Sequence, residues 1–184
     1  MTATDTTSAS GSASFTWTIS PPVGCTPAQL IGNPGFETGS ISPWTATTHV
    51  LANISQGVPA HSGSWLAWLD GYRTTHTDRL AQTVSIPSTC KNANFSFWLN
   101  ITTTEPATAA YDRLKVQVLN PSGTVLSTLT RLSNLNATGG YRQYSFSLAR
   151  YIGQTINLRF TGTETLGGGH ITSFFEDDNA LNVS

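Results

Sequence analysis

Charge is scarce in this chain: Asp, Glu, Lys and Arg make up 10% of its residues, against about 25% in an average soluble domain. The nine basic and ten acidic residues are scattered along the sequence and leave a formal net charge of -1. No Lys/Arg run marks a nucleic-acid site and no basic amphipathic segment marks a membrane-surface helix, so neither nucleic acid nor membrane is expected as a partner. Apolar runs are short, and none approaches the roughly 20 residues of a membrane span. The N-terminal stretch MTATDTTSASGSAS also lacks the charged and apolar regions of a signal peptide; an exported chain would carry its signal upstream.

Cysteine is nearly absent, and the two present, Cys25 and Cys90, are too far apart for a Cys-x-x-Cys redox pair. They are either a disulfide in an oxidising compartment or two buried thiols in a reducing one. The Thr, Ser, Asn and Gly-rich composition favours the disulfide and a secreted, extracellular setting. Catalytic signatures are missing too. His49, His61, His76 and His170 show no His-Glu-x-x-His spacing, and there is no Gly-x-Ser-x-Gly elbow. Asp70, His76 and Asp78 lie close in sequence, but nothing suggests the convergent geometry that a nucleophile, base and orienter need, and the acids concentrate near the C-terminus rather than forming an acid and base pair. The reading is a protein that is not an enzyme.

What is abundant is Thr on alternating positions, which suits the outward faces of strands and disfavours long helices. The length of 184 residues supports one sandwich-sized domain, assigned to residues 23–184, preceded by a low-complexity tail with one strand over 1–22. In that tail Phe15, Trp17 and Ile19 alternate with Thr16, Thr18 and Ser20, which predicts a strand over 14–20 that must pair with something. Further on, turn residues separate short alternating segments, and strands are predicted near 47–54, 64–70, 79–86, 93–102, 112–119, 124–131, 141–148, 155–163 and 171–181. Turns fall at Asp70-Gly71 and Asn120-Pro121-Ser122-Gly123. No room remains for crossover helices, so the sheets are expected to be antiparallel and the fold all-β.

The same alternation assigns faces. Phe95, Phe97, Leu99 and Ile101 share one side, with Asn94, Ser96, Trp98 and Asn100 opposite. Leu114, Val116 and Val118, then Tyr144, Phe146 and Leu148, then Ile156, Leu158 and Phe160 also point inward by this count. Trp44 and Trp65 read as core.

Several motifs together resemble a known family. Asn33-Pro34-Gly35-Phe36-Glu37-Thr38-Gly39, Pro43-Trp44, His61-Ser62-Gly63-Ser64-Trp65 and Phe174-Phe175-Glu176-Asp177-Asp178 resemble the carbohydrate-binding-module and galactose-binding-like jelly rolls appended to secreted bacterial hydrolases. Trp68-Leu69-Asp70-Gly71-Tyr72, Leu80-Ala81-Gln82-Thr83-Val84 and Gly153-Gln154-Thr155 are similar to modules attached to secreted peptidases. The tail resembles the closing strand of a bacterial immunoglobulin-like repeat. The resemblance implies an antiparallel jelly-roll β-sandwich acting as a non-catalytic ancillary module, with a catalytic domain elsewhere in the parent chain and a polysaccharide or cell-surface glycan as partner. It also implies a structural calcium ion, Ca2+, held by Glu37 and Asp177, with Asp178 next in line and Gly39 and Ser64 as backbone donors. The chain departs from the family pattern in having Glu176 and Asn179 where apolar residues are usual.

Sugar recognition needs an aromatic face beside planar polar groups. Trp98, Tyr141, Arg113, Gln117, Gln143 and Arg159 have that chemistry at outward positions. Trp98 is equally open to being covered by a loop, and Trp68 and Tyr72, flanking a turn, are open to lining a rim. A second functional reading is a surface subunit that forms a homo-oligomer by donating residues 14–20 to a neighbour's sheet.

Overall fold

The computed structural model describes residues 2–4, 7, 10–17, 24–165 and 169–184. In chain order the strands are β1 (Thr2–Thr4), β2 (Ser10–Ser12), β3 (Ala28–Gln29), β4 (Thr45–Ala46), β5 (Leu51–Asn53), β6 (Trp65–Asp70) and β7 (His76–Ser85). They continue with β8 (Ala93–Thr103), β9 (Arg113–Leu119), β10 (Val125–Ser133), β11 (Arg142–Ser147), β12 (Thr155–Glu164) and β13 (Thr172–Val183). Helical structure among the described residues is confined to three single 3-10 turns. β1 and β2 form a small hairpin of their own. The rest make two antiparallel sheets, one ordered β10-β9-β12-β7-β4, the other β11-β8-β13-β6-β5 with β3 added on β13. The fold is the expected all-β jelly-roll sandwich.

Alternation produces the two layers. Leu80 and Val84 of β7, Val116 and Val118 of β9, and Leu158 and Phe160 of β12 are buried against Phe95, Phe97, Leu99 and Ile101 of β8. Phe160 meets Phe97 edge-on at 4.9 Å between ring centroids, a geometry aromatic quadrupoles favour. Tyr144 and Phe146 on the edge strand β11 stack beside Phe97 and are only partly buried. Trp44 is core as expected, whereas Trp65 is half-buried. Asp70 and Gly71 both adopt positive φ at the predicted turn, and the Gly123 amide donates to the Asn120 carbonyl at 2.9 Å at the other.

Two expectations need correction. The strand predicted over 47–54 shrinks to Leu51–Asn53, because His49 turns the backbone with φ 72°. The strand predicted over 14–20 is not formed in its described part. Residues 13–17 belong to no strand, and Phe15 and Trp17 are 82% and 79% exposed; residues 18–20 lie outside the described residues. The physical reason is the one that motivated the expectation, since alternation without an adjacent strand has no face to bury.

Cys25 and Cys90 form the disulfide, which ties the segment ahead of β3 to the start of β8. A cross-link spanning 65 residues of sequence removes about 4 kcal/mol of loop entropy from the unfolded chain. Replacing both cysteines by Ser should therefore lower the denaturation free energy by a few kcal/mol with an unchanged circular-dichroism spectrum. Equal urea midpoints for the two proteins would show that the bridge does not constrain the unfolded state.

Candidate functional site

The two outer faces of the sandwich differ in what covers them. Over the six-stranded sheet lies the segment joining β5 to β6. Val58, Leu66 and Phe175 form a second small apolar cluster there, with Ala60, Trp68 and Tyr141 packed against it. The Tyr141 hydroxyl donates to the Pro59 carbonyl at 2.6 Å. His61 stacks on Trp98 with ring centroids 4.0 Å apart and meets the edge of Tyr141 at 5.2 Å. One face of the Trp98 indole is thus occupied by the protein itself; of the two readings open for this residue, loop cover is the one adopted. Trp68 and Tyr72 line a cavity of about 140 Å³ with His49, Ala52, Gln56 and Asp70.

Carboxylates hold that covering segment down. Glu37 accepts the Ser64 amide at 2.9 Å and the Trp65 amide at 2.8 Å. Asp177 accepts the amides of His61 and Ser62, at 2.8 and 3.2 Å. Asp178 bonds the His61 Nδ1 at 2.6 Å and accepts the Ser62 hydroxyl at 2.8 Å. The three acids meet over Gly35, where a Cβ would lie 2.9 Å from an Asp178 oxygen and 3.5 Å from Asp177. Of the backbone donors expected with them, Gly39 packs against the Trp65 indole, and the Ser64 carbonyl accepts the Ile54 amide. Glu176, next to Asp177 in β13, is fully buried. Burial first, and the neighbouring Asp177 and Asp178 charges, push its carboxyl well above the usual range. Asp177 rises to about 6 because burial outweighs the amide hydrogen bonds it accepts. Among the described residues no three acidic, His or Cys side chains are arranged as a ready-made ion cage.

The outer face of the five-stranded sheet is open. The register of β7, β12, β9 and β10 lays its side chains in rows. Ala81, Arg159, Gln117 and Thr128 form one, and Arg79, Thr161, Lys115 and Arg131 the next. Arg159 donates to Gln117 at 3.3 Å, and Gln117 donates to Thr128 at 3.3 Å. A groove of about 440 Å³ runs along this face, lined by Arg79, Thr83, Asn120, Asn157 and Arg159 among others. The six residues proposed from sequence therefore separate. Trp98, Tyr141 and Gln143 sit at the six-stranded sheet, with Gln143 paired to Trp98. Arg113, Gln117 and Arg159 belong to the open face, joined by Lys115 and Asn157, which strand alternation also puts outward, and by Arg79 and Arg131, which sequence reasoning passed over.

A further cluster also escaped it. Asp70, Asp78, Asp112 and Glu164 are all buried at one end of the sandwich, where β6 and β12 finish and β7 and β9 begin. Asp78 accepts the Asp70 amide at 2.9 Å, and Glu164 accepts the amides of Tyr72 and Arg73 at 2.6 and 2.8 Å. These carboxylates thereby cap the β6–β7 turn. Asp70 has no partner for either oxygen, and Gly162 leaves it room, since a Cβ there would sit 2.7 Å from it. Burial, then the charges of Asp78, Glu164 and Asp112, raise Asp70 to about 9.

No protein-family model matches the sequence, and no curated protein sequence does. Solved structures do match. A CBM61 module, determined with β-1,4-galactotriose, aligns at a TM-score of 0.61 and 19% identity over 85% of this chain and 99% of that one. A family 16 carbohydrate-binding module aligns at 0.51 and 17% identity, covering 84% and 99%. A CBM22 xylan-binding domain aligns at 0.50 and 18%, covering 85% and 95%. The fold is that of the β-sandwich carbohydrate-binding modules. At such identities the likeness is one of fold.

The buried acid Asp70 makes a stability prediction. Its pKa is 3.8 when unfolded and about 9 when folded, so between those values the folded state holds more protons than the unfolded one. Stability therefore falls as pH rises across that window. Asp70→Asn, which keeps shape and cannot ionise, should melt higher than the parent at pH 8 and show a flatter pH profile between 5 and 8. A parent whose melting temperature rises over that interval would contradict the assignment.

Proposed function

We propose that this domain is a non-catalytic, extracellular module that binds polysaccharide or a cell-surface glycan on the outer face of its five-stranded sheet. The observation that carries the reading is the asymmetry between the faces. On the six-stranded sheet the aromatic part of the outer face, around Trp98, is covered by the segment that stacks His61 on it, while Asn94, Gln143 and Ser145 stay exposed. The five-stranded sheet instead presents an open groove with Asn120, Asn157, Arg79 and Arg159 on its walls. Amides and guanidinium groups in fixed planes suit bidentate hydrogen bonding to neighbouring sugar hydroxyls. Gln117 and Arg159 orient each other before any ligand arrives, which lowers the entropy lost on binding. Strands supply Arg79, Gln117, Asn157 and Arg159, and Asn120 follows directly on β9, so most of the wall is held rigidly. Tethered to a catalytic domain in the parent chain, such a module would raise the local concentration of substrate.

The test is affinity electrophoresis against a panel of soluble polysaccharides. Arg159→Ala should weaken retardation by about tenfold, the effect of losing one or two hydrogen bonds to a charged group. Trp98→Ala should leave retardation unchanged. Loss of binding in the Trp98 variant alone would move the site to the other sheet.

A structural calcium ion at Glu37, Asp177 and Asp178 belongs to the same proposal. The donors are all hard oxygens. Each carboxylate has about four lone-pair sites, not all of them used by the amides of residues 61–65. Calcium at a hundredfold excess over its Kd should add about 2.7 kcal/mol to stability, read as a rise in melting temperature that EDTA reverses and Asp177→Asn abolishes. Identical melting curves with calcium and with EDTA would leave the three acids as anchors of the 61–65 segment alone.

A further inference from the structure

Cations that are scattered in sequence are gathered by the fold. Of the nine Lys and Arg residues, Arg79, Arg113, Lys115, Arg131 and Arg159 all stand on the outer face of the five-stranded sheet, where their positions alternate with buried Leu80, Leu114, Val116, Leu132 and Phe160. Arg79, Arg113, Lys115 and Arg131 are exposed. Lys115 and Arg131 are direct cross-strand partners. Arg79 lies two strands away in the same row, about 10 Å at the usual strand spacing.

Among the described residues no carboxylate forms an ion pair with them. The carboxylates of the described residues are drawn into the groups Glu37, Glu176, Asp177, Asp178 and Asp70, Asp78, Asp112, Glu164, with Glu105 beside the second. Ion pairs between the described residues involve only His61 with Asp178 and His76 with Asp78. Arg159 Nε is buried without an acceptor. Like charges directly opposite on neighbouring strands are destabilising, so Lys115 beside Arg131 is a feature that an anionic ligand would relieve. Two further depressions of about 370 Å³ each, separate from the groove, are lined by Arg113 and Lys115.

We infer that the ligand of this face is an acidic polysaccharide, a chain bearing carboxylate groups such as a polyuronate. This deepens the function proposed above and rests on it. Recognition would come from guanidinium and ammonium groups pairing with successive carboxylates across the strands. Arg79, Thr161, Lys115 and Arg131 form one rank of contacts and Arg159 with Gln117 the next. Strand positions on this face carry no aromatic ring among the described residues, so stacking on a neutral pyranose has little to work with here, whereas charge pairing and hydroxyl bonding have a great deal. A glycan is favoured over nucleic acid for the same reason, since single-stranded bases need aromatic platforms; the Thr, Asn and Gln side chains between the cations match sugar hydroxyls.

The experiment compares one backbone with and without its charge. Binding of the whole domain to polygalacturonate, to the same polymer fully methyl-esterified, and to neutral β-1,4-galactan is followed by calorimetry at low salt and in about 0.5 M NaCl. The expected result is affinity for polygalacturonate at least tenfold above that for the ester, falling with salt. It should drop about tenfold in the Lys115→Gln/Arg131→Gln double variant, while Arg142→Gln on the other sheet has no effect. Melting temperatures of the variants guard against misfolding. Equal, salt-insensitive binding to ester and acid, or to galactan, would overturn the acidic-ligand inference while leaving the glycan-binding proposal intact. Binding of a DNA duplex as tight as that of polygalacturonate would overturn it as general polyanion attraction. Absence of binding to every polysaccharide would sink both.

Discussion

The central constraint in this structure is the placement of β12 between β7 and β9, hydrogen-bonded to both along its length. A strand held on two sides cannot slip by one residue without exchanging its whole inner and outer sets. Ile156, Leu158 and Phe160 go into the core, and in doing so they commit Asn157, Arg159 and Thr161 to the opposite surface. The register then carries this choice to Thr83 and Arg79 on one flank and to Gln117 and Lys115 on the other. The face proposed for binding is a by-product of core formation: the same alternation that buries the apolar residues presents a polar, cationic surface on rigid strands.

The few carboxylates are used differently. In a chain with so little charge, most acids are withdrawn from solvent and spent on amide groups of loops and turns. Glu37, Asp177 and Asp178 secure the segment over the six-stranded sheet, and Asp78 and Glu164 secure the β6–β7 turn. An amide hydrogen bond to a carboxylate is stronger than a neutral one, which lets short Gly- and Ser-rich loops keep a definite shape. Two consequences follow. The outer face of one sheet is covered around Trp98 by His61, and the other carries cations that no described carboxylate pairs with. Asp70 and Glu176 are where burial outweighs stabilisation and pushes the carboxyl groups above their ordinary range.

Much of the fold was legible in the sequence because its signals are local. Period-two alternation in Phe95, Phe97, Leu99 and Ile101 needs no knowledge of the partner strand, and turn residues such as Asp70-Gly71 punctuate it. The tail misled the same method, since Phe15 and Trp17 alternate as a strand does but the described structure places no neighbour beside them. The site was less legible, for reasons of distance along the chain. That Lys115 opposes Arg131, and that Arg79 shares their row, depends on the pairing of four strands. Whether Trp98 is bare or covered depends on where His61 lands. The buried acids did carry an overlooked signal: Asp78 is in phase with Leu80 and Val84, and Glu164 with Leu158 and Phe160, so parity alone placed both inside.

The most direct test of this account is amide chemical-shift mapping of the domain as polygalacturonate oligomers are added. Saturable shifts confined to β7, β12, β9 and β10, centred on the Arg79, Lys115 and Arg159 positions, are what an open, cationic recognition face predicts. Shifts centred instead on Trp98, Tyr141 and the segment around His61 would contradict it and would mean that the covered sheet opens to take the ligand.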